Sequence, residues 1–180
     1  MNRIGTALGA FTLALLTAAS ASAQIQTVEG PEGLNEITTF ALLSTTFGDD
    51  AGASMSALFF TYGKYLTDRD QVAAGPRIFI TRAAGSTDAS VGMTASYRRF
   101  LSAPDKEREM IPYFGGEVML SDLTPPVGAS VGDLTFINAI GGFKYFFIRE
   151  LGLDIKGAFG FSPGGAGQSL QMTVGLSYRF

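Results

Sequence analysis

The chain has 180 residues, with 13 Lys and Arg against 16 Asp and Glu, and it contains no His, Cys or Trp. Without cysteine there is no disulfide scaffold or thiolate metal site, and without imidazole the Ser-His-Asp hydrolases and nearly all zinc chemistry fall away; no catalytic residue, cofactor or metal ligand is assigned, and an enzyme is not expected. The slightly acidic balance gives no support for nucleic-acid binding.

Residues 1–23 carry one basic residue, Arg3, then an apolar run from about Leu8 to Ala19, then Ala21-Ser22-Ala23 before Gln24. This is the small-x-small pattern of a secretory signal peptide, and the run is shorter than the ~20 residues a membrane helix needs. Cleavage after Ala23 would leave 157 residues, one domain by length. Residues 24–35 hold Gly30, Pro31 and Gly33 with no period and read as a periplasmic lead-in.

From Glu36 the chain breaks into eight segments of roughly strand length for a tilted membrane strand, ~9–11 residues. They are Glu36–Phe47, Ala53–Leu66, Gln71–Arg82, Ala89–Leu101, Met110–Leu120, Val131–Phe147, Leu151–Phe161 and Ser169–Phe180. Several alternate with a period of two. In the fourth, Val91, Met93, Ala95 and Tyr97 oppose Ser90, Gly92, Thr94 and Ser96. In the fifth, Met110, Pro112, Phe114, Val118 and Leu120 oppose Gly115 and Glu117; in the seventh, Leu151, Leu153, Ile155, Phe159 and Phe161 oppose Asp154, Lys156, Ala158 and Gly160. Pro76 and Pro112 fall inside strands, where a closed barrel offers no edge to shelter a missing donor, so each is expected to mark a strand start or a bulge.

Three junctions repeat a basic residue, an aromatic and a bulky apolar residue before a charged turn: Lys64-Tyr65-Leu66, Arg99-Phe100-Leu101 and Lys144-Tyr145-Phe146-Phe147. These read as the periplasmic turns, with the aromatics forming the inner interfacial girdle. The opposite connections, at Gly48–Gly52, Ala83–Asp88, Ser121–Ser130 and Ser162–Gln168, are short and rich in small residues, which is plain turn chemistry and does not suggest a large protein-binding surface.

The last segment alternates without a fault, Leu170, Met172, Val174, Leu176, Tyr178 and Phe180 on one face. Thr173, Gly175, Tyr178 and Phe180 resemble the C-terminal insertion signal of bacterial outer-membrane β-barrels, which implies recognition by the barrel-assembly machinery. From Glu36 to Phe180 the chain resembles the small eight-stranded outer-membrane barrels of the outer-membrane protein A, X and W type. The resemblance implies an all-β, eight-stranded, antiparallel up-and-down transmembrane barrel in the outer membrane, with outer-membrane lipids as partners; unlike the two-domain members the chain ends at the barrel, so a cell-wall tethering role is not expected.

Apolar faces turned to lipid leave a charged set for the lumen: Arg77, Glu117, Asp154 and Lys156 at intermediate depth, and Lys64, Lys144 and Arg179 nearer the periplasmic rim. Inward placement has an energetic reason, since a Lys or Arg facing mid-bilayer costs ~2–4 kcal/mol. Arg98 and Arg99 cannot both point inward, so one snorkels at the interface. Eight strands leave an interior just wide enough for side chains, so the charges are expected to pair and fill it. A sharper reading makes Glu117 and Asp154, paired with Arg77 and Lys156, a gate on a narrow path. Glu117 and Asp154 as a glycosidase pair is disfavoured by their cationic neighbours and the lack of a cleft. The leading expectation is a structural, envelope-integrity barrel with at most a narrow pore. The alternatives are a transporter of small apolar molecules using Phe60, Phe79 and Phe136, and a soluble lipocalin-like periplasmic carrier.

Overall fold

In a computed structural model of the chain, residues 31–45, 54–83, 86–104, 109–123, 131–164 and 168–180 are described. The expected signal peptide, residues 24–30 of the lead-in and the tips of several connections, Gly48–Gly52 among them, lie outside the described residues.

Eight antiparallel strands close into one barrel in sequence order. They are β1 (Asn35–Thr45), β2 (Ser54–Tyr65), β3 (Asp70–Ala83), β4 (Ser86–Phe100), β5 (Met110–Leu120), β6 (Thr135–Phe146), β7 (Leu151–Phe161) and β8 (Gln168–Arg179). The expected strand count and order are those observed. The sixth segment starts later than its composition suggests, because Val131–Leu134 form a single helical turn, α1, before β6. The connection after β3 is tighter than expected, since pairing continues to Ala83↔Ser86. Among the described residues no helix is long and apolar enough to cross a membrane.

Following pairs around the sheet, Ser169 leads through Gly160, Asn138, Glu117, Ser96, Ala73, Gly63 and Glu36 back to β8 at Arg179, ten residues further on. With a rise of ~3.3 Å per residue and strands ~4.8 Å apart, that stagger corresponds to a tilt of about 40°, within the range of closed barrels.

Pro112 lies by the start of its strand, close to the expectation, whereas Pro76 departs from it. Pro76 sits mid-strand, pairs with Met93 on β4, and neither starts a strand nor makes a bulge: the β2–β3 pairs on either side, Phe59↔Arg77 and Tyr62↔Ala74, keep one register. The paired positions lapse only between them, where proline has no N–H to give. Gly75 is needed at the same spot, because a Cβ there would lie 1.9 Å from the Phe60 carbonyl oxygen. Pro112 is the third residue of β5, just past the last β4–β5 pair, Phe100↔Tyr113, where its missing donor costs little.

The wall is apolar outside and charged inside. Leu170, Met172, Val174, Leu176 and Tyr178 of β8 are all exposed, as are Phe114 and Val118 of β5 and Phe159 and Phe161 of β7. The alternate positions carry the buried polar set, which includes eight charged side chains.

The repeated junctions hold in residue type but not in direction. Tyr65, Phe100 and Phe146 are the last or inward-most aromatics of their strands and are fully buried, pointing into the lumen instead of forming a girdle. With Ile111, Tyr113, Ile140 and Ala158 they make an apolar floor. The outward ring near this end is made by Tyr62, Tyr97 and Tyr178, all exposed, with Tyr145 beside them. Leu34 packs on the floor from the N-terminal side, where Gly33 takes a positive φ of 81° that a Cβ would disfavour. The seam is completed by Asn35 and Phe180, which exchange backbone hydrogen bonds of 2.9 and 3.0 Å.

Candidate functional site

Among the described residues the lumen is where charge is concentrated out of water, and its packing is set by the strand register. Large inward side chains sit beside glycines on the neighbouring strand: Arg77 beside Gly92, Arg98 beside Gly115, Tyr113 beside Gly142, Phe40 and Asp154 beside Gly175. Small positions alternating with large ones let eight strands enclose guanidinium and aromatic groups without widening. At Gly115 the requirement is strict, since a Cβ would fall 1.9 Å from the Tyr97 carbonyl oxygen and 3.1 Å from the Arg98 Cα.

In the half of the lumen above the aromatic floor, two carboxylates gather five donors. Glu36 of β1 pairs with the Lys144 ammonium and accepts the Tyr65 hydroxyl at 2.9 Å and the Thr38 hydroxyl at 2.9 Å. Asp154 of β7 accepts Arg98 Nη1 at 2.9 Å and the Tyr113 hydroxyl at 2.7 Å, and Lys144 lies 3.6 Å away. Lys144 therefore bridges the two carboxylates, and β1, β2, β4, β5, β6 and β7 are tied together through one network. Arg98 also lies over the Phe40 and Tyr113 rings, at 5.6 and 5.3 Å from their centroids.

Towards the other mouth the network thins. Lys156 donates to Glu117 Oε2 at 2.5 Å, and Asn138 reaches the other oxygen at 3.5 Å. Arg77 has no carboxylate within ion-pair distance among the described residues. Its Nη2 donates to Gln171 Oε1 at 3.2 Å, its Nε has no partner, and its guanidinium lies 4.0 and 4.8 Å from the centroids of Phe59 and Phe79. Those rings supply the negative face that a carboxylate would otherwise provide.

All four residues expected at intermediate depth, Arg77, Glu117, Asp154 and Lys156, are buried in the lumen. They do not form one set. Glu117 pairs with Lys156, but Asp154 pairs with Arg98 and Lys144, and Arg77 stands apart on neutral partners. Arg98 is the inward member of its pair, while Arg99 faces out, 52% exposed, and meets Asp70 at 3.1 Å. Lys144 and Arg179 lie inside near the turn end; Arg179 stacks 3.6 Å from the Phe146 centroid and donates to the carbonyls of Arg149 and Pro104. Lys64 is a correction, for it is exposed on the outer face. Reading the repeat by residue type placed it beside Lys144, but the phase differs: Lys64 aligns with Arg99 and Tyr145, one position before the inward aromatic.

Of the rings considered for an apolar path, Phe79 faces the lumen and packs edge-on to Phe59 at 6.1 Å, and Phe136 is also on an inward position. Phe60 falls on the outward phase of β2, between inward Phe59 and Thr61. The sequence alone gives Glu36 and Tyr113 no role and puts Tyr65 in the interfacial girdle instead of the lumen. Glu36 was the first residue of an assigned strand, and its alternation with Thr38 and Phe40 was the available signal.

In the terminal segment Thr173 and Gly175 point inward and Tyr178 outward, stacked on Phe180 at 6.1 Å. Among the described residues no three His, Cys, Asp or Glu side chains converge as a metal site. Compared with known proteins, the chain matches no family model and no curated relative.

Proposed function

We propose that this protein is an outer-membrane β-barrel with a structural, envelope-integrity role, closed to solutes at rest and leaving at most a narrow path. One observation carries the reading: the wall is turned inside out, with exposed Leu, Phe, Val and Met outside and interlocked Glu36, Lys144, Asp154 and Arg98 inside. In water that exterior would be a large apolar patch inviting association, whereas in lipid it is the expected surface. The same distribution weighs against a soluble carrier, whose cavity would be the apolar side. A charged, aromatic-floored lumen also weighs against a continuous route for apolar molecules. No enzymatic role is proposed. The terminal Thr173, Gly175, Tyr178 and Phe180 are assigned to recognition by the assembly machinery.

Two measurements test this. The chain expressed in a Gram-negative host should fractionate with the outer membrane and migrate differently on a gel before and after boiling; recovery as a soluble periplasmic protein refutes the membrane assignment. Reconstituted in a planar bilayer, the barrel should give no sustained large conductance. Glu117→Gln, which releases Lys156, should raise the frequency of small openings, because the outer half of the lumen loses its ion pair while the floor remains. A stable, wide pore in the unaltered protein overturns the closed-barrel reading.

A further inference from the structure

The outer face between β2 and β6 carries a groove of about 680 Å³, within the ~300–1,000 Å³ range of small-ligand sites. Ala74, Ala95 and Gly116 supply its small outward positions, and Tyr62, Val72 and Tyr97 stand beside them. Strand packing does not force the opening at Gly116: a Cβ there would meet nothing nearer than the Asn138 carbonyl oxygen at 3.8 Å, unlike the obligatory glycine next to it at 115.

Of the polar residues along the groove, Ser96, Glu117 and Asn138 are buried, and the exposed charge sits at one end. Lys64, which also lines it, is the next-to-last residue of β2 and is exposed. Among the described residues no carboxylate lies within ion-pair distance of it. The neighbouring outward cation, Arg99, is neutralised by Asp70, whose carboxylate is also occupied by the Tyr97 hydroxyl at 2.6 Å and the Thr67 hydroxyl at 2.7 Å. From Lys64 the pairing runs through Val72 and Tyr97 to Gly116 near the middle of β5, and the adjacent outward row runs from Tyr62 through Ala74 and Ala95 to Val118 and Ile137. Four strand spacings give the groove a span of roughly 19 Å.

An unpaired ammonium at rim height, two amphipathic tyrosines beside it and an apolar channel leading toward the middle of the wall match one kind of molecule, a phosphate head with a long hydrocarbon tail. An isologous contact with a second copy would instead gather two uncompensated Lys64 charges at one interface. We propose that the groove holds one acyl chain of a phospholipid whose phosphate is bound by Lys64. The inference rests on the outer-membrane reading above.

The test is native mass spectrometry of the protein extracted from outer membranes, with phosphatidylglycerol as probe and diacylglycerol of the same chains as the phosphate-free control. One phosphatidylglycerol should be retained per barrel, and diacylglycerol should be held about fivefold less, the weight of a single Lys at an anionic headgroup. Lys64→Gln should lower phosphatidylglycerol retention by about the same factor. Gly116→Leu, which fills the channel at a position with room for a side chain, should lower it on the order of tenfold. Equal retention in all three proteins, each still heat-modifiable on a gel, overturns the proposal while leaving the membrane barrel intact. So does equal binding of diacylglycerol. Ala95→Cys, in a chain that otherwise lacks cysteine, should stay monomeric in bilayers; a disulfide-linked dimer abolished by Gly116→Leu assigns the face to a second copy. A protein that does not enter the membrane fraction sinks the underlying reading as well.

Discussion

The two halves of the lumen are built from the same residue types and differ in how those residues are satisfied. Near the aromatic floor, Glu36 and Asp154 each accept from a tyrosine hydroxyl and a cation, and Lys144 links them, so β1, β2 and β4 to β7 contribute a member and Ser177 of β8 joins through Thr38. Toward the other mouth, Glu117 and Lys156 form an isolated pair, and Arg77 rests on an amide and two rings. The described buried charges number five cations against three carboxylates, and the surplus is carried by residues at the two ends, Arg77 and Arg179. A buried charge is tolerated when it is paired and hydrogen-bonded and is costly when one partner is removed. The floor network therefore acts as a cross-strand clasp, while the outer half keeps charges whose partners can change at lower cost.

That contrast breaks most sharply at Asp154. Replacing it with Ala leaves Arg98 buried without an acceptor and Lys144 with Glu36 alone. A destabilisation of about 3–5 kcal/mol is expected, read as a lower denaturant midpoint for loss of the heat-modifiable band. A cost under about 1 kcal/mol would mean that the clasp is not what holds the floor.

Arg77→Met should behave in the opposite way. It removes a desolvated cation that has no carboxylate to abandon and keeps an unbranched chain between Phe59 and Phe79, so stability should change by less than about 1 kcal/mol or rise. A loss as large as that for Asp154 would erase the distinction between the halves.

The smallest effect is expected outside the lumen, at the β2–β3 turn. The Tyr97 hydroxyl, then that of Thr67, holds the Asp70 carboxyl below its ordinary value of 3.8. A lowered folded-state pKa gives stability that is present above the unfolded value and is lost as pH falls through the folded one. Asp70→Asn should therefore match the unaltered protein in acid and trail it slightly above pH 4, the gap shrinking in salt. The unfolding midpoint as a function of pH, at low and high ionic strength, reads this out. A gap that is independent of pH would assign Asp70 a purely geometric role in the turn.

Much of the barrel was legible in the chain. Period-two alternation at Ser90–Tyr97, Leu151–Phe161 and Leu170–Phe180 assigns each side chain to a face without reference to any other strand, because successive Cβ atoms must point to opposite sides. That local rule also turned Arg77, Glu117, Asp154 and Lys156 inward. It failed where the phase had to be inferred from residue type: Lys64 and the aromatics of the repeated junctions were assigned by analogy among turns, and the structure reversed them. Pro76 misled for a related reason. A missing donor is a local property, but whether the ladder survives it depends on Gly75 and the approach of the Phe60 carbonyl.

By itself, then, the sequence determined the number of strands, their order and most of the inside and outside faces, since those follow from nearest-neighbour geometry along each strand. Only the tertiary structure decided which charges meet. Asp154 reaches Arg98, 56 residues away, and Glu36 reaches Lys144, 108 residues away. Those distances are closed by the ten-residue stagger of the barrel, a property of eight strands pairing at once that no single strand encodes.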